Sequence, residues 1–255
     1  MHYDLTGRTA VVLGGTSEIG AAIVETLTKS GSNVVFQGTN EQTGAAIMDR
    51  CASHPGTCLF KSADLMQFDQ IAAVFTEAKA RFGKVDVAVC SGASRRPGPK
   101  LLVDMAAEEM VEAYNNRIIP RINGLKAAVD VMIPENYGKI VLISTDAGRT
   151  PTPTETIIGS AGAFVNYLAR SSARELARSG IRVNAVAITI TEGTKAFTEL
   201  TGKGSVFDKI KSRAAFGLIN TQDVADYILY LAAPESDKIS GSTMSINGGS
   251  SFPSY

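Results

Sequence analysis

The chain has 255 residues, of which 44% are hydrophobic and 20% are charged, and its formal net charge is zero. This balance, without long runs of one sign, argues against nucleic acid or an anionic membrane as the main partner. No apolar segment at the start resembles a signal peptide and none is long enough to span a bilayer, so we expect a cytoplasmic protein.

The three cysteines are Cys51, Cys58 and Cys90, an odd number without metal-ligand spacing, and the only histidines are His2 and His54. Reduced thiols are the expectation for such a set. The scarcity of ligands argues against a metal site and against a histidine-based catalytic triad.

Short β-branched runs alternate along the chain with amphipathic helical stretches. Strands are predicted at Thr9–Leu13, Val34–Phe36, Cys58–Lys61, Val85–Val89, Ile140–Ile143, Val183–Ala187 and Ser242–Ile246. Helices are predicted at Gly20–Lys29, up to Cys51, and at Phe68–Phe82, Ala107–Met132, Gly159–Ala177 and Thr221–Leu231, with an irregular segment that ends near Lys203. The alternation predicts an α/β fold in which one doubly wound parallel sheet carries helices on both faces. No repeat or linker divides residues 1–255, so we expect a single domain.

The turn between the first strand and the first helix is rich in glycine, and reads Leu13-Gly14-Gly15-Thr16-Ser17-Glu18-Ile19-Gly20. Glycines let the backbone turn tightly and approach a pyrophosphate, which is attracted to the N-terminus of the helix. Glu18 would repel a pyrophosphate if its side chain pointed there. We favour the alternative that Glu18 faces solvent in the first helical turn, where the helix dipole stabilises it.

The ends of the later strands contribute further candidate positions. The second strand ends in Phe36-Gln37-Gly38-Thr39-Asn40, without the acid that selects NAD or the arginine that selects NADP. Thr39 and Asn40 could bond a ribose, although a simple turn is the interpretation we favour. Asp64 and Leu65 follow the third strand, where Asp64 alone would also serve as a helix cap. Cys90 ends the fourth strand and is interpreted as a buried, apolar side chain.

Together with Ile239–Gly249 at the C-terminal end, these motifs resemble the short-chain dehydrogenase/reductase family along the whole chain. The resemblance implies a Rossmann-type domain that binds NAD or NADP, with a substrate-loop region at about 188–215. It places Asp64 at the adenine, Cys90 where the family has an asparagine, and Thr189 where it has a glycine. The cofactor-binding residues that it implies are Gly14, Thr16, Ser17, Glu18, Ile19, Gly20, Thr39, Asp64, Leu65, Cys90, Gly92 and Thr189.

The reaction side departs from that family. By resemblance Thr145 takes the place of the catalytic serine, and Asn116 that of the asparagine in the proton relay. The family's Tyr-x-x-x-Lys begins 13 residues after the serine, which gives Ile158 and Gly162 here. Counting back 26 residues from Asn184 gives the same register. The two groups that normally move the proton are therefore absent.

Carboxylates near this gap are candidate substitutes. Asp146 directly follows Thr145, Glu155 precedes Ile158 by three residues, and Glu192 lies in the substrate-loop region. A buried carboxylate with a raised pKa can act as an acid or a base, although most such residues are solvated loop residues. The cations Arg95, Arg96 and Lys100 could bind an anionic substrate, and a solvated loop explains them equally well.

Three hypotheses follow. The first is an oxidoreductase of this family that acts on a carbonyl, an alcohol or an activated C=C bond with non-standard proton delivery. The second is a redox-neutral lyase or isomerase, and the third a non-catalytic cofactor-binding protein or scaffold subunit. We rank the first highest. The resemblance also implies a small-molecule substrate and a homodimer or homotetramer, or a hetero-oligomer with an active relative, formed through the helices at 107–132 and 159–177.

Overall fold

The computed structural model describes residues 3–202 and 204–253. Within them the strands are β1 Thr9–Leu13, β2 Asn33–Gly38, β3 Cys58–Ser62, β4 Val87–Cys90, β5 Gly138–Thr145, β6 Ile181–Ile188, β7 Thr191–Glu192, β8 Ile219–Asn220 and β9 Thr243–Ile246. Seven of these form one sheet in the order β3-β2-β1-β4-β5-β6-β9, and every neighbouring pair is parallel. The chain winds outward to β3, returns beside β1 and then winds the other way. The predicted doubly wound sheet is confirmed.

The helices are α1 Glu18–Lys29, α2 Glu41–Cys51, α3 Phe68–Phe82, α4 Ala107–Met132, α5 Thr156–Leu176, α6 Lys195–Thr201, α7 Ser205–Arg213 and α8 Thr221–Ala232. Helices α1, α2 and α8 cover one face of the sheet, and α3, α4 and α5 cover the other. In β1, Ala10 and Val12 pack on the first face while Val11 and Leu13 pack on the second. Because neighbouring side chains point to opposite faces, a strand buried on both sides is apolar throughout.

The segment after β6 is more regular than the sequence indicates. An irregular stretch to about Lys203 was expected, and Lys203 itself lies outside the described residues. The structure instead contains α6 within that stretch and α7 just after it. Strand β7 pairs with β8 in parallel. Thr194 starts α6, because its Oγ1 accepts a hydrogen bond from the N–H of Phe197 at 3.2 Å. The rings of Phe197 and Phe207 pack edge to face with centroids 5.6 Å apart, which holds α6 against α7.

Over the described ranges, none of the helices is both long and apolar enough to pass through a membrane. The three cysteines are all free thiols, as the sequence predicts. Cys51 lies at the end of α2 and Cys58 at the start of β3, so both are remote from the strand ends where the site forms.

Candidate active site

The carboxyl ends of β1, β4, β5 and β6 meet at one edge of the sheet, and the strand order reverses between β1 and β4. In open α/β sheets ligands bind at such a reversal. Gly14 begins the turn out of β1 with φ +76°, and a Cβ there would lie 2.3 Å from the Cα of Gly92. Only glycine allows the two backbone segments to approach in this way, so the glycine turn lies directly against the end of β4.

Ser17 fixes the start of α1. Its Oγ accepts a hydrogen bond from the N–H of Gly20 at 3.1 Å and donates one to the carbonyl of Gly14 at 2.8 Å. A capped helix start leaves its first N–H groups, including that of Ile19, directed toward the turn. This arrangement suits the pyrophosphate of a dinucleotide.

The expectation that Glu18 faces solvent is incomplete, because its carboxylate contacts a distant part of the chain. Its Oε1 accepts a hydrogen bond from the backbone N–H of Lys195 at 3.3 Å, although the two residues are 177 positions apart in sequence. The carboxylate therefore joins the glycine turn to the start of α6. A negative charge stands beside the place that the resemblance assigns to the pyrophosphate.

Gly38 occupies the position at the end of β2 where an acid would select NAD. A Cβ on Gly38 would lie 2.2 Å from Oγ1 and 2.7 Å from Cβ of Thr16. The side chain of Thr16 thus fills the space that a larger residue at position 38 needs. Gln37 is buried and turns inward, where its Oε1 accepts from the N–H of Gly14 at 2.8 Å.

The remaining cofactor candidates lie around the same edge. Thr39 is exposed, and Asn40 caps α2 by accepting from the N–H of Thr43 at 2.8 Å, which is the turn that we favoured. Asp64 is exposed and its Oδ1 accepts from the N–H of Met66 at 2.9 Å, so it closes a turn before α3 rather than capping that helix. Leu65 and Thr189 are half-buried beside this edge.

Cys90 is 1% exposed, and burial raises the pKa of its thiol to about 12 while Arg121 opposes that shift. It is the buried, apolar side chain that we expected. A thiol held in its neutral form is a poor nucleophile, so Cys90 contributes packing rather than reactivity to the site.

The place of the missing lysine is occupied by other atoms. A Cβ on Gly162 would lie 2.6 Å from Cγ2 of Thr145 and 3.1 Å from the Cα of Gly148. Thr145 is half-buried at the end of β5, and its Oγ1 accepts from the N–H of Ala147 at 3.3 Å. Ile158 is half-buried on the same helix as Gly162. Helix α5 therefore packs against the turn after β5 more closely than a side chain at position 162 would permit.

Asp146 is buried but turns away from the reaction side. Its Oδ1 accepts from Ser245 Oγ at 3.2 Å and from Asn247 Nδ2 at 3.4 Å, and its Oδ2 accepts from Ser251 Oγ. Arg149 donates to Ser245 Oγ at 2.9 Å. Asp146 and Arg149 therefore attach the turn after β5 to β9, and this structural role accounts for both side chains. Glu192 is exposed on β7, so the three candidate carboxylates are not brought together.

Glu155 borders the region that we call the cleft, which lies between the loop after β4, Arg117 of α4 and the start of α5. It is half-buried just before α5, and burial raises the pKa of its carboxyl group while the charge of Arg117 opposes that shift. Burial in turn lowers the pKa of Arg117, and the charge of Glu155 opposes that shift. A carboxyl group with a raised pKa keeps its proton to a higher pH than an ordinary one and can act as a general acid.

Arg117 and Arg121, which no sequence pattern singled out, border the same cleft from α4. Arg117 donates to the carbonyls of Arg95 at 3.1 Å and Pro97 at 2.8 Å, which holds the loop after β4. Asn116 binds the same loop, because its Nδ2 donates a hydrogen bond to the carbonyl of Arg96 at 3.0 Å. The spacing of four residues between Arg117 and Arg121 could have identified this pair from the sequence, because it places both side chains on one face of a helix.

Two of the three surface cations considered for an anionic substrate, Arg95 and Lys100, pair with carboxylates. Arg95 Nη2 lies 3.4 Å from Glu199 Oε1, and Lys100 Nζ lies 2.9 Å from Glu109 Oε2. All four side chains are largely exposed, and such pairs contribute little to stability.

The glycine turn and the capped start of α1 fit a nicotinamide dinucleotide, whereas Glu18 and Gly162 are departures from a fully conventional site. Gly14, Ser17, Ile19, Gly20 and Gly92 are the residues that would hold its pyrophosphate.

Comparison with known proteins finds relatives that match nearly the whole chain. A family model described as enoyl-(acyl carrier protein) reductase matches residues 14–251. The chain is 29% identical to 3-oxoacyl-(acyl-carrier-protein) reductase FabG of Escherichia coli K12, over 98% of both chains. It is 28% identical to the protein of the same name from Chlamydia muridarum, over 98% of this chain and 99% of that one.

Solved structures resemble the whole chain as well. A short-chain type dehydrogenase/reductase from Mycobacterium marinum superposes with a TM-score of 0.88 at 23% identity, covering 98% of each chain. Another from Mycobacterium ulcerans gives a TM-score of 0.90 at 21% identity, covering 98% of this chain and 91% of that one. At these identities the likeness concerns the fold alone. Because the family match spans nearly the whole chain, the protein belongs to the short-chain dehydrogenase/reductase family of oxidoreductases.

Proposed function

We propose that this protein is a nicotinamide-dependent oxidoreductase that reduces a carbonyl group on a small molecule, or oxidises the corresponding alcohol, and that Glu155 takes over the proton transfer of the absent tyrosine. The proposal rests on the position and the burial of Glu155. It is half-buried in the cleft, one helical turn before Ile158, and has a carboxyl group whose pKa is raised by burial.

Each residue at the site has a definite role in this proposal. When bound, a reduced nicotinamide would supply the hydride for the new C–H bond. Thr145 donates a hydrogen bond to the substrate oxygen, and the carboxyl group of Glu155 gives its proton to that oxygen. The resulting carboxylate is stabilised by the positive charge of Arg117. Solvent then returns the proton to Glu155.

The same geometry disfavours the conventional proton route. Neither Ile158 nor Gly162 can donate or accept a proton, and Gly162 packs directly on Thr145. Loss of a general acid commonly costs about 10²–10⁴-fold in rate. A second acid within the cleft is what lets such a chain retain turnover.

The first experiment is a calorimetric titration with NAD, NADH, NADP and NADPH, followed by oxidation of the reduced cofactor with a panel of ketones. Replacing Glu155 by glutamine should leave cofactor binding intact and lower turnover by about 10²-fold or more. The matched control is Glu192→Gln, since Glu192 is an exposed carboxylate of the substrate-loop region. Equal activity of the two variants would remove Glu155 from the mechanism, and no binding of any cofactor would remove the oxidoreductase proposal.

A second candidate function is that of a subunit which supports an active relative. It is favoured by exposed apolar side chains around the start of α4, where Val103 is 89% and Val111 is 60% exposed. A patch of this kind suits a protein interface. Turnover by a purified homodimer or homotetramer would exclude this candidate, whereas activity that appears only in a hetero-oligomer would establish it.

A further inference from the structure

Two guanidinium groups, those of Arg117 and Arg121, lie one helical turn apart on α4 beside the cleft. Arg121 is 7% exposed and donates its Nε to the carbonyl of Ile143 at 3.1 Å, and it also donates to the carbonyls of Ser91 and Gly92. Arg117, one helical turn earlier, donates to carbonyl oxygens through both of its Nη atoms. Over residues 3–202 and 204–253, Nε of Arg117 makes no hydrogen bond.

Neither cation forms a salt bridge. Among the described residues, no carboxylate oxygen lies within 4.0 Å of a nitrogen of Arg117 or Arg121. Glu155 attracts Arg117 from beyond salt-bridge distance, and burial raises the pKa of its carboxyl group. Two like charges in a poorly hydrated cleft are costly unless an anion offsets them.

The other acidic groups near the cleft are already engaged elsewhere. Glu18 accepts from the N–H of Lys195, and Asp146 accepts from side chains of β9 and the C-terminal segment. Arg95, at the surface, has its own partner in Glu199. Arg96, on the same loop, forms no salt bridge among the described residues but is exposed, whereas Arg117 is half-buried and Arg121 is buried on α4.

We propose that the substrate carries a carboxylate that binds beside Arg117, with Arg121 behind it as a second fixed positive charge. The inference rests on the proposed function, because it places the substrate in the same cleft as Glu155. Arginine suits this role, because it stays charged when it is partly buried and its N–H groups give strong, charge-assisted hydrogen bonds to a carboxylate. The free Nε of Arg117 adds a donor that no protein acceptor uses.

The test compares an acid with its uncharged ester. Calorimetry measures the binding of 3-oxobutanoate and of methyl 3-oxobutanoate to the wild type, to Arg117→Gln and to Arg95→Gln. The acid should bind the wild type at least about tenfold more tightly than the ester does. Arg117→Gln should abolish this preference, whereas Arg95→Gln, which removes a surface cation, should keep it.

Arg117 also holds the loop after β4, so a further variant separates charge from structure. Glu155→Gln leaves that loop intact and removes a carboxyl group that becomes negative once it loses its proton. At a pH above the raised pKa of Glu155, this variant should bind the acid more tightly than the wild type does, and its preference for the acid over the ester should widen. Three results would overturn the inference: no binding of 3-oxobutanoate to the wild type, equal binding of acid and ester, or loss of the preference in Arg95→Gln. A protein that binds the acid but no nicotinamide would keep this site and refute the proposed oxidoreductase function alone.

Discussion

Thr145 and Gly162 interlock: Cγ2 of the threonine stands 2.6 Å from the point where a β carbon on Gly162 would lie. The two positions replace the serine and the lysine that the resemblance leads one to expect. The threonine methyl is accommodated because position 162 has no side chain. The two departures from the family pattern are therefore one coupled change in the packing of β5 against α5.

A double-mutant cycle tests this coupling. Gly162→Ala should destabilise the protein by on the order of 1 kcal/mol, because overpacking costs about 1–3 kcal/mol and alanine returns about 0.5–1 kcal/mol of helix propensity. In a Thr145→Ser background the loss should shrink, since serine lacks Cγ2. Chemical denaturation gives the free energies of unfolding. Gly98→Ala is the control, because its β carbon would meet only the Arg95 carbonyl at 3.9 Å. Strict additivity would refute the coupling.

Restoring the family's pair should fail unless Thr145 changes too. Ile158→Tyr with Gly162→Lys forces the lysine stem into Cγ2 of Thr145, so we expect a less stable protein without added ketone reduction. Adding Thr145→Ser removes the nearest obstacle and should raise reduction above that of the double variant. Steady-state rates measured beside thermal unfolding check this. A double variant that is both stable and more active would show that α5 has room for the lysine.

The sequence predicts the scaffold of this site well, because the glycine turn and the strand ends are local patterns. Gly14 and Gly20 are required where the backbone turns and approaches another segment, and Ser17 is a recognisable helix cap. The apolar runs of the strands predict a sheet buried on both faces, which the packing of Val11 and Val12 confirms.

The sequence predicts the chemistry of the site less well, because partners are distant along the chain. Asp146 looks like a candidate acid beside Thr145, yet it binds Ser245 and Asn247, about 100 residues away. Glu18 likewise reaches Lys195. Side-chain direction at a loop is set by tertiary contacts, which single-sequence patterns do not encode.

Position 38 gives a prediction about cofactor choice. Gly38→Asp alone should destabilise the protein, because Thr16 occupies the space of its β carbon. With Thr16→Gly the aspartate fits, and its carboxylate should bond the ribose hydroxyls of NAD and repel the extra phosphate of NADP. We expect a preference for NAD of about tenfold, or about 1.4 kcal/mol. Calorimetry with both cofactors checks it, and equal affinities would place the ribose elsewhere.

Glu18 gives a prediction about cofactor affinity. Its carboxylate lies at the start of α1, where a pyrophosphate would meet a like charge. Glu18→Gly should increase the affinity for NADH or NADPH by about tenfold. Glu18→Gln, which keeps the size but not the charge, should give most of that gain. If glutamine gives none of it and glycine all of it, the obstacle is the side chain itself rather than its charge.

Glu155 makes stability depend on pH in a defined direction. Because burial raises its pKa above the ordinary 4.5, the folded protein holds this proton more tightly than the unfolded chain does. As pH rises from the ordinary value through the raised one, the unfolded chain binds fewer protons, so the free energy of unfolding falls. Glu155→Gln has no such proton to lose. It should therefore match the wild type in acid and become the more stable of the two as pH rises.

Denaturation over a pH series measures this difference, with Glu192→Gln as the exposed control, whose curve should run parallel to the wild type. The reductive rate should follow the same group, because the proton reaches the substrate only from the neutral acid, so the rate falls as pH rises through the raised pKa. A wild-type rate that stays flat across this window would mean that another group delivers the proton. A stability curve of Glu155→Gln parallel to the wild type would mean that the carboxyl group is not desolvated.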